Sequence, residues 1–136
     1  MSQKNVRLEV MKHLEKDVNS LIQKYLIPID TIWQPQDFLP DSRDNNFLDQ
    51  ITEIQELAKE LPYDFWVVLV GDMITEEALP TYESWLMDVE GINQHDGKTN
   101  GWSKWVRAWT GEENRHGDVL SKYLYLKIFF LVLCGT

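Results

Sequence analysis

Two pairs of acidic residues stand inside apolar stretches of the sequence. Glu76 and Glu77 have apolar residues on both sides, and Glu112 and Glu113 precede His116 after a tryptophan-rich segment. A carboxylate that is buried without a partner costs several kcal/mol, so it is normally paired with a cation or bound to a metal ion. These acids therefore need partners, and the imidazole of His116 is a type of group that shares metal ions with carboxylates.

The spacing of these residues indicates one particular kind of metal site. Glu113 and His116 are three residues apart and Glu112 and His116 are four apart, so either acid shares a helix face with the histidine. The spacing does not distinguish between them, nor between Glu76 and Glu77. One carboxylate from one helix and Glu-x-x-His from a neighbour make half of a di-iron carboxylate site in a ferritin-like bundle. Carboxylate oxygen and imidazole nitrogen are ligands that suit Fe(II).

An ordinary interpretation of the same residues also exists. Glu-x-x-His is common on solvated helix faces, and Arg115 or Lys122 can form ion pairs with nearby acids. The second acidic pair, which lies on a separate apolar segment, strengthens the case for a metal site, but the residues alone leave the ordinary interpretation open.

Apolar spacing predicts two helices in the first part of the chain. Residues 1–27 contain one amphipathic helix, and residues 28–46, which hold three prolines, form an extended connection. A second helix carries the apolar residues from Ile51 to Leu61 on one face and ends before Pro62.

Two longer helices are predicted to carry the acidic pairs. Residues 65–70 alone have the composition of a buried strand, but the apolar pattern continues over 65–86 and favours one long buried helix kinked at Pro80. A polar loop follows over 91–101, and a second long helix over 102–126. Residues 47–126 would thus hold the helices of the site.

Glycines and the chain end add detail to the last helix. Gly111 and Gly117 interrupt it at about 1 kcal/mol each relative to alanine, which indicates close packing or room for a neighbouring group. Residues 127–136 form an apolar tail, whose uncharged run of seven residues from Ile128 to Cys134 is shorter than the roughly 20 residues that span a bilayer.

Composition excludes several classes of partner. With 43% hydrophobic residues and 12% aromatic residues, the chain has the composition of a soluble globular domain. Its net charge of −9 argues against nucleic acid or a membrane surface as the main partner, because both repel it. Cys134 is the single cysteine, so an internal disulfide is impossible, and no transit peptide is evident at the start.

Long strings of the sequence resemble the plant-type soluble acyl-[acyl-carrier-protein] desaturases. The resemblance covers most of residues 8–126 and is specific. The first string resembles the segment that precedes the helical bundle of that family, and the others resemble its first two metal helices. The strings are Trp33–Asp41, Val67–Tyr82, Arg107–Asp118 and Lys122–Leu126.

This resemblance implies a fold and a set of iron ligands. The fold would be an all-α, ferritin-like di-iron helical bundle, present incompletely as a single partial domain over 1–136. Glu76 would be a terminal ligand to one iron, Glu113 would bridge both irons, and His116 would bind through its imidazole. A complete site would hold two Fe(II), and neither Glu77 nor Glu112 would bind metal.

The resemblance also implies an activity. Such proteins insert a cis double bond into a saturated acyl chain on acyl carrier protein during fatty acid biosynthesis, using O2 and ferredoxin electrons. It implies a homodimer in the plastid, within the chloroplast stroma. Lys98, Lys104 and Arg107 are candidate contacts for the acidic carrier protein, although a solvated helix start is the simpler interpretation. The tryptophan-rich segments are expected to form core or acyl-tunnel walls, with Trp85, Leu86, Trp105 and Trp109 as candidates.

The resemblance fails in one region and leaves two alternatives. Residues 127–136 do not resemble the family, and the sequence holds one acid helix and one Glu-x-x-His helix, which is half of the ligand set. We expect a truncated or aberrantly spliced product that is inactive or nearly so. The alternatives are a symmetric half-bundle that oxidises or stores iron and a non-enzymatic helical partner of a full-length desaturase. His13 and His95 have no partner at ligand spacing and are expected on the surface.

Overall fold

The regular structure of the chain is entirely helical wherever it is described. The computed structural model describes residues 3–93 and 100–134, with backbone alone at residue 4 and at residues 128–134, and in these ranges it contains no strand. This confirms the all-α prediction. The helices are α1 (Gln3–Tyr25), α2 (Phe47–Lys59), α3 (Tyr63–Ala78), α4 (Tyr82–Met87) and α5 (Gly101–Cys134), with short 3-10 turns at Ile29–Thr31, Pro35–Asp37 and Leu79–Thr81.

The chain divides into two compact units. One consists of Met1–Ile32 and Leu79–Glu112, and the other of Trp33–Ala78 and Glu113–Thr136. Helix α5 contributes its first part to the former and its last part to the latter. We call them the first and second unit.

In the first unit, α1 packs against the start of α5. The indole Nε1 of Trp102 donates a hydrogen bond to the carbonyl of Met11 at 3.2 Å. Gly91 has φ of 90°, and a Cβ added there would lie 2.8 Å from Cβ of Met11. Asn100 caps α5, because its Oδ1 accepts a 2.9 Å hydrogen bond from the backbone N–H of Ser103. Gly91 and Asn100 thus fix the two ends of the predicted loop, of which residues 94–99 lie outside the described residues.

In the second unit, α2 and α3 contact the end of α5. Ile51 and Ala58 of α2 are almost completely buried. The Gln55 side chain donates a 3.1 Å hydrogen bond to the carbonyl of Leu126, and the rings of Trp66 and Tyr123 stack with centroids 6.4 Å apart. These contacts hold α3 alongside the part of α5 that carries the Glu-x-x-His motif.

The predicted long buried helix over 65–86 is wrong in two respects. It is interrupted, since α3 ends at Ala78 and a 3-10 turn containing Pro80 separates it from α4. Proline has no backbone N–H to donate to the carbonyl four residues earlier, so here it ends the helix rather than kinking it. The helix is also not buried, because none of the residues of α3, all of which the structure describes, is fully buried.

The end of the chain also differs from expectation. Helix α5 continues through most of the predicted tail and ends at Cys134, while residues 135–136 lie outside the described residues. None of the helices, over the residues described, combines the length and apolar character needed to cross a bilayer.

Candidate metal centre

Glu76, Glu113 and His116 lie together in the second unit. Each offers one possible ligand atom, and these atoms all lie within 4.8 Å of one another. Nδ1 of His116 is 3.1 Å from Oε2 of Glu113 and 3.5 Å from Oε2 of Glu76. No other cluster of three or more such side chains occurs among the residues that the structure describes.

Two features of α5 bring these side chains together. The three-residue spacing puts Glu113 and His116 on one face of the helix. One residue further on, Gly117 allows close approach to α3, because a Cβ there would lie 3.1 Å from the backbone nitrogen of Glu77 and 3.3 Å from the carbonyl carbon of Glu76. The predicted close packing at this glycine is confirmed, and it brings the end of α3 within reach of the histidine.

The three side chains are partly shielded from water. Their exposed fractions are 24% for Glu76, 16% for Glu113 and 40% for His116. Burial raises the pKa of the Glu76 carboxyl above its usual value, and the hydrogen bonding and negative charge of Glu113 raise it further. His116 acts in the opposite direction but does not reverse the shift. The two carboxylates therefore repel each other when no cation lies between them.

One atom of this group lacks a hydrogen-bond donor. Oε2 of Glu76 is buried and accepts no hydrogen bond from any described residue, and the contact with His116 at 3.5 Å is too long or poorly directed to supply one. Buried carboxylate oxygens normally accept a hydrogen bond or bind a cation. This oxygen is therefore suited to bind a metal ion.

The donor set fits an iron ion. It combines carboxylate oxygens with one imidazole nitrogen, a mixture that suits Fe(II). Adjacent ligand atoms around a metal at roughly 2.1 Å are about 3 Å apart, which is close to the 3.1 Å between His116 Nδ1 and Glu113 Oε2. Nδ1 is the imidazole nitrogen that faces both carboxylates, so it is the atom through which His116 would bind.

Trp33 supports the histidine, a contact that the helical spacing gave no means to find. Its ring stacks on His116 with centroids 5.7 Å apart and planes at 14°. The guanidinium of Arg115 lies 5.5 Å from the centre of the Trp33 ring. The Phe38 ring packs edge-on against the Trp33 ring, with ring centroids 5.4 Å apart. The one available signal was the position of Trp33 at the start of the first string that resembles the desaturases. Groups that contact a metal ligand fix its orientation.

Other residues singled out in the sequence lie elsewhere. Lys122 forms an ion pair with Asp118 at 2.6 Å, so it is already paired with an acid outside the cluster. Trp85 is exposed, which contradicts its assignment to the core, whereas a role as tunnel wall stays a prediction. His13 is exposed as expected, whereas His95 and Lys98 lie outside the described residues. Trp105 is also exposed, and its ring stacks on Trp109 at 6.1 Å.

Comparison with known proteins confirms the resemblance. The family model for fatty acid desaturase matches residues 6–129. Over 121 residues, the chain is 53% identical to a chloroplastic stearoyl-[acyl-carrier-protein] 9-desaturase of Spinacia oleracea and 51% identical to that of Ricinus communis. It is 52% identical to a chloroplastic acyl-[acyl-carrier-protein] desaturase of Cucumis sativus.

These similarities cover most of this chain but a smaller part of each relative. The matches to the spinach and castor proteins take in 88% of the chain, and 30% and 31% of those relatives, respectively. The chain thus spans about 30% of the length of the curated relatives that it matches. Because the matched model covers most of its residues, the chain belongs to the fatty acid desaturase family.

Proposed function

We propose that this chain carries part of the di-iron centre of an acyl-[acyl-carrier-protein] desaturase. Glu76, Glu113 and His116 would hold the iron, Glu76 as a terminal carboxylate ligand, Glu113 as the carboxylate shared by both ions and His116 through its imidazole. The observation that supports this assignment is the convergence of three ligand atoms within 4.8 Å of one another, one of them a buried Glu76 oxygen that accepts no hydrogen bond from the residues described. Glu77 and Glu112 have no role as ligands.

The proposed reaction converts a saturated acyl chain on acyl carrier protein into a cis-unsaturated one. A methylene in such a chain has no proton that a side-chain base can remove, so the reaction needs an oxidant. Bound iron would supply redox chemistry with O2, which takes two hydrogens from the chain plus two electrons and two protons and leaves as two waters. Ferredoxin is the proposed electron donor, and the plastid stroma the proposed location, in line with relatives named as chloroplastic.

The protein's own residues would prepare the site rather than carry the oxidation. Glu76 and Glu113 hold negative charge where the cations bind, and partial burial strengthens that attraction. Two Fe(II) carry four positive charges, of which these two carboxylates balance two. The proposal therefore requires further ligands in the active assembly, and we expect the chain assayed alone to produce little or no unsaturated product.

Anaerobic titration with Fe(II) tests the ligand assignment. The wild-type chain should bind iron, and Glu76→Gln should reduce that affinity by at least tenfold, because it removes a charged ligand. Glu77→Gln is the matched control, since it removes the same charge from the neighbouring position and should leave the affinity within about twofold. Equal losses in the two variants would show that general negative charge, not a specific ligand, binds the metal.

An activity assay tests the reaction separately. The chain is incubated with stearoyl-[acyl-carrier-protein], reduced ferredoxin, iron and O2, and the fatty acids are analysed by mass spectrometry. Release of oleate at a rate typical of an enzyme would contradict the expectation that further ligands are required. Restoration of product when a longer desaturase subunit lacking its own Glu76 equivalent is added would support a contribution of this chain to a complete site.

A further inference from the structure

Asn100 and Gly101 form the one Asn-Gly pair in the sequence. An asparagine in such a pair is prone to deamidation, because the backbone nitrogen of a residue without a side chain is unhindered. This nitrogen loses its proton to a base and attacks the side-chain carbonyl carbon of the asparagine. The side-chain nitrogen takes a proton from water and leaves as ammonia, and a five-membered succinimide ring remains. Water then opens the ring to aspartate or to isoaspartate, in which the backbone runs through the former side chain.

The packing of α1 explains why a glycine follows Asn100. Gly101 is the first residue of α5, and a Cβ added there would lie 3.1 Å from Cγ1 of Val18 and 2.5 Å from Oδ1 of Asn19. The valine is branched at Cβ and stiff, so it has little freedom to move aside. Close approach of the two helices therefore favours glycine at this position, although glycine also makes the asparagine reactive.

The side chain of Asn100 is occupied in the folded chain. Its Oδ1 accepts a 2.9 Å hydrogen bond from the backbone N–H of Ser103, and its Nδ2 donates a 2.7 Å hydrogen bond to the carbonyl of Gly91. The residue is only 6% exposed. Ring closure moves the side-chain carbonyl carbon onto the nitrogen of Gly101 and expels Nδ2, so it cannot proceed while these hydrogen bonds are kept.

Helix α1 holds the surroundings of Asn100 in place. A Cβ added to Gly91 would lie 2.8 Å from Cβ of Met11, so the carbonyl that accepts from Asn100 belongs to a residue packed directly on α1. The indole of Trp102 donates a 3.2 Å hydrogen bond to the carbonyl of Met11. Separation of α1 would therefore release both the acceptor of the Asn100 amide and the first turn of α5.

We propose that Asn100 is a deamidation site whose reaction is controlled by separation of α1 from the start of α5. In the closed contact the amide is held by Ser103 and Gly91, and in the open contact its side chain is free to turn toward Gly101. The observed rate is then the rate in the unfolded chain multiplied by the fraction of time that the contact is open. The site belongs to the first unit, and the proposal does not depend on the metal ligands.

The products of the reaction oppose closure of the contact. An aspartate at position 100 can still cap α5, but an ionised carboxylate has no donor for the carbonyl of Gly91. Two oxygens would then face each other in a position that is almost completely buried, which is unfavourable. Isoaspartate adds a methylene to the backbone at the cap itself. Deamidation thus converts a transient opening of α1 from α5 into a lasting one.

Incubation of the wild-type chain at mildly alkaline pH, in buffer and in concentrated guanidinium chloride, tests the control by folding. Trypsin cleaves after Lys98 and Lys104, so the peptide 99–104 reports on Asn100 separately from the Asp96–Gly97 pair. Mass spectrometry of this peptide should show conversion of the amide to an acid about tenfold slower in buffer, as expected for a contact that is open a tenth of the time or less. Equal rates, or no conversion in guanidinium, would overturn the proposal.

Asn45 and Asn46 provide an internal control for the effect of the denaturant. Both are exposed in the folded chain and lie in a different tryptic peptide. Their rates should change little between buffer and guanidinium. A similar acceleration at these two residues and at Asn100 would mean that the denaturant, not release of a protected contact, increases the rate.

Two variants of α1 with the same substitution test which contact controls the reaction. Val18→Asp puts a charge against Gly101 and should speed deamidation of Asn100 in buffer, whereas Ser20→Asp puts it at an exposed position and should leave the rate unchanged. In guanidinium both variants should react like wild type, because neither alters the sequence around Asn100. Acceleration in both variants, or in neither with helix content retained by circular dichroism, would contradict control by α1.

Hydrogen exchange in the wild-type chain makes the test independent of whether Val18→Asp folds. The backbone N–H of Ser103 donates to Oδ1 of Asn100, so one opening exposes this amide and frees the reactive side chain. Guanidinium below the unfolding transition should accelerate exchange at Ser103 and deamidation at Asn100 by the same factor. Exchange that accelerates while deamidation does not would refute a shared opening.

Asn100→Asp tests whether the product keeps the contact open. Exchange at Ser103, measured by NMR at neutral pH, should be about tenfold faster in this variant than in wild type, because the hydrogen bond to Gly91 is lost. The deamidated wild-type chain, separated by ion exchange through its added negative charge, should behave in the same way or exchange faster. Exchange at the wild-type rate in both proteins would overturn the lasting opening.

Discussion

His116 lies one helical turn after Glu113, and its Nδ1 atom is 3.1 Å from Oε2 of that glutamate. This contact holds the imidazole with Nδ1 directed at the carboxylate, which is the orientation that metal binding through that nitrogen would need.

Glu76→Gln should stabilise the metal-free chain at neutral pH. Because burial and Glu113 raise the pKa of Glu76 in the folded state, ionisation of this carboxyl opposes folding. The favourable contribution of the protonated form is complete below the unfolded value of about 4.3 and is lost as pH rises through the raised folded value. Near pH 7 the variant should gain about 1 kcal/mol in free energy of unfolding, the energy of two charges some 4 Å apart in water.

Denaturant unfolding of wild type, Glu76→Gln and Glu77→Gln between pH 4 and 7.5 measures this effect. The advantage of Glu76→Gln over wild type should shrink toward zero at the acidic end, while Glu77→Gln should follow wild type throughout. A Glu76→Gln chain that is less stable than wild type at pH 7 would mean that the carboxylate is well compensated without metal. The same substitution should weaken iron binding. The Glu76 carboxylate would thus lower the free energy of unfolding without metal and raise the affinity for iron.

Trp33→Ala should reduce iron affinity although Trp33 is not a ligand. Its ring stacks on His116 and restricts the orientation of the imidazole. Loss of a group that orients a ligand typically costs at least tenfold in metal affinity, and we expect about that value. Trp33→Phe keeps an aromatic face and should restore most of the affinity.

Phe38→Ala is the control for general destabilisation. Phe38 contacts the edge of Trp33 and has no described contact with His116, so its loss should lower the free energy of unfolding with little effect on iron affinity. Isothermal titration with Fe(II) under argon gives the affinities. An unchanged affinity in Trp33→Ala would show that the Trp33 ring does not orient the imidazole for metal binding.

Under the proposed function, reversal of two charges in the first unit should weaken the proposed binding of acyl carrier protein. Lys104 and Arg107 are exposed and three residues apart on α5, so they offer positive charge on one face of an otherwise acidic chain. Lys104→Glu combined with Arg107→Glu should reduce affinity for the carrier about tenfold at low salt, and less at high salt because the contact is screened. Lys12→Glu combined with Lys16→Glu changes the net charge by the same amount at exposed positions of α1 and serves as the control. An equal loss of affinity in that variant would show that net charge, not this face of α5, controls binding.

The sequence predicted the all-helical fold class and the three side chains of the candidate metal site, and the two predictions had different grounds. The all-helical fold class could be predicted because helical periodicity is a local property of the sequence. It does not depend on what the helices pack against. The choice of Glu113 over Glu112 does not follow from spacing, and the desaturase-like strings supplied it. In the folded chain, Glu113 is the acid that lies 3.1 Å from the histidine, beside an α5 that Gly117 brings close to α3. Its role as an iron ligand stays a prediction.

Burial and tertiary contacts were the features that the sequence predicted poorly. The apolar composition of α3 indicated a buried helix. Composition shows that burying these side chains is favourable, but it does not show what buries them. Val67 and Val68 are exposed in this chain. Pro80 was recognised as a disruption, but whether proline kinks or ends a helix depends on the contacts that follow. The stacking of Trp33 on His116 depends on the path of a non-helical segment, which no periodic pattern encodes.

Gly117→Ala should separate α5 from α3 and weaken the metal site. The new Cβ would lie 3.1 Å from the backbone nitrogen of Glu77, 3.2 Å from its Cγ and 3.3 Å from the carbonyl carbon of Glu76, and the backbone atoms cannot move aside without shifting a helix. Overpacking of this kind costs about 1–3 kcal/mol, which the helix propensity of alanine offsets by at most about 1 kcal/mol. We expect a net loss of stability and a decrease of at least tenfold in iron affinity.

Gly71→Ala provides the matched control on α3. A Cβ at that position meets nothing within 4 Å, so the substitution should raise the free energy of unfolding by up to about 1 kcal/mol through helix propensity alone. Thermal unfolding and Fe(II) titration of both variants measure the two effects together. If Gly117→Ala were as stable as Gly71→Ala and kept wild-type iron affinity, the close approach of the two helices could not be what positions Glu76 beside His116.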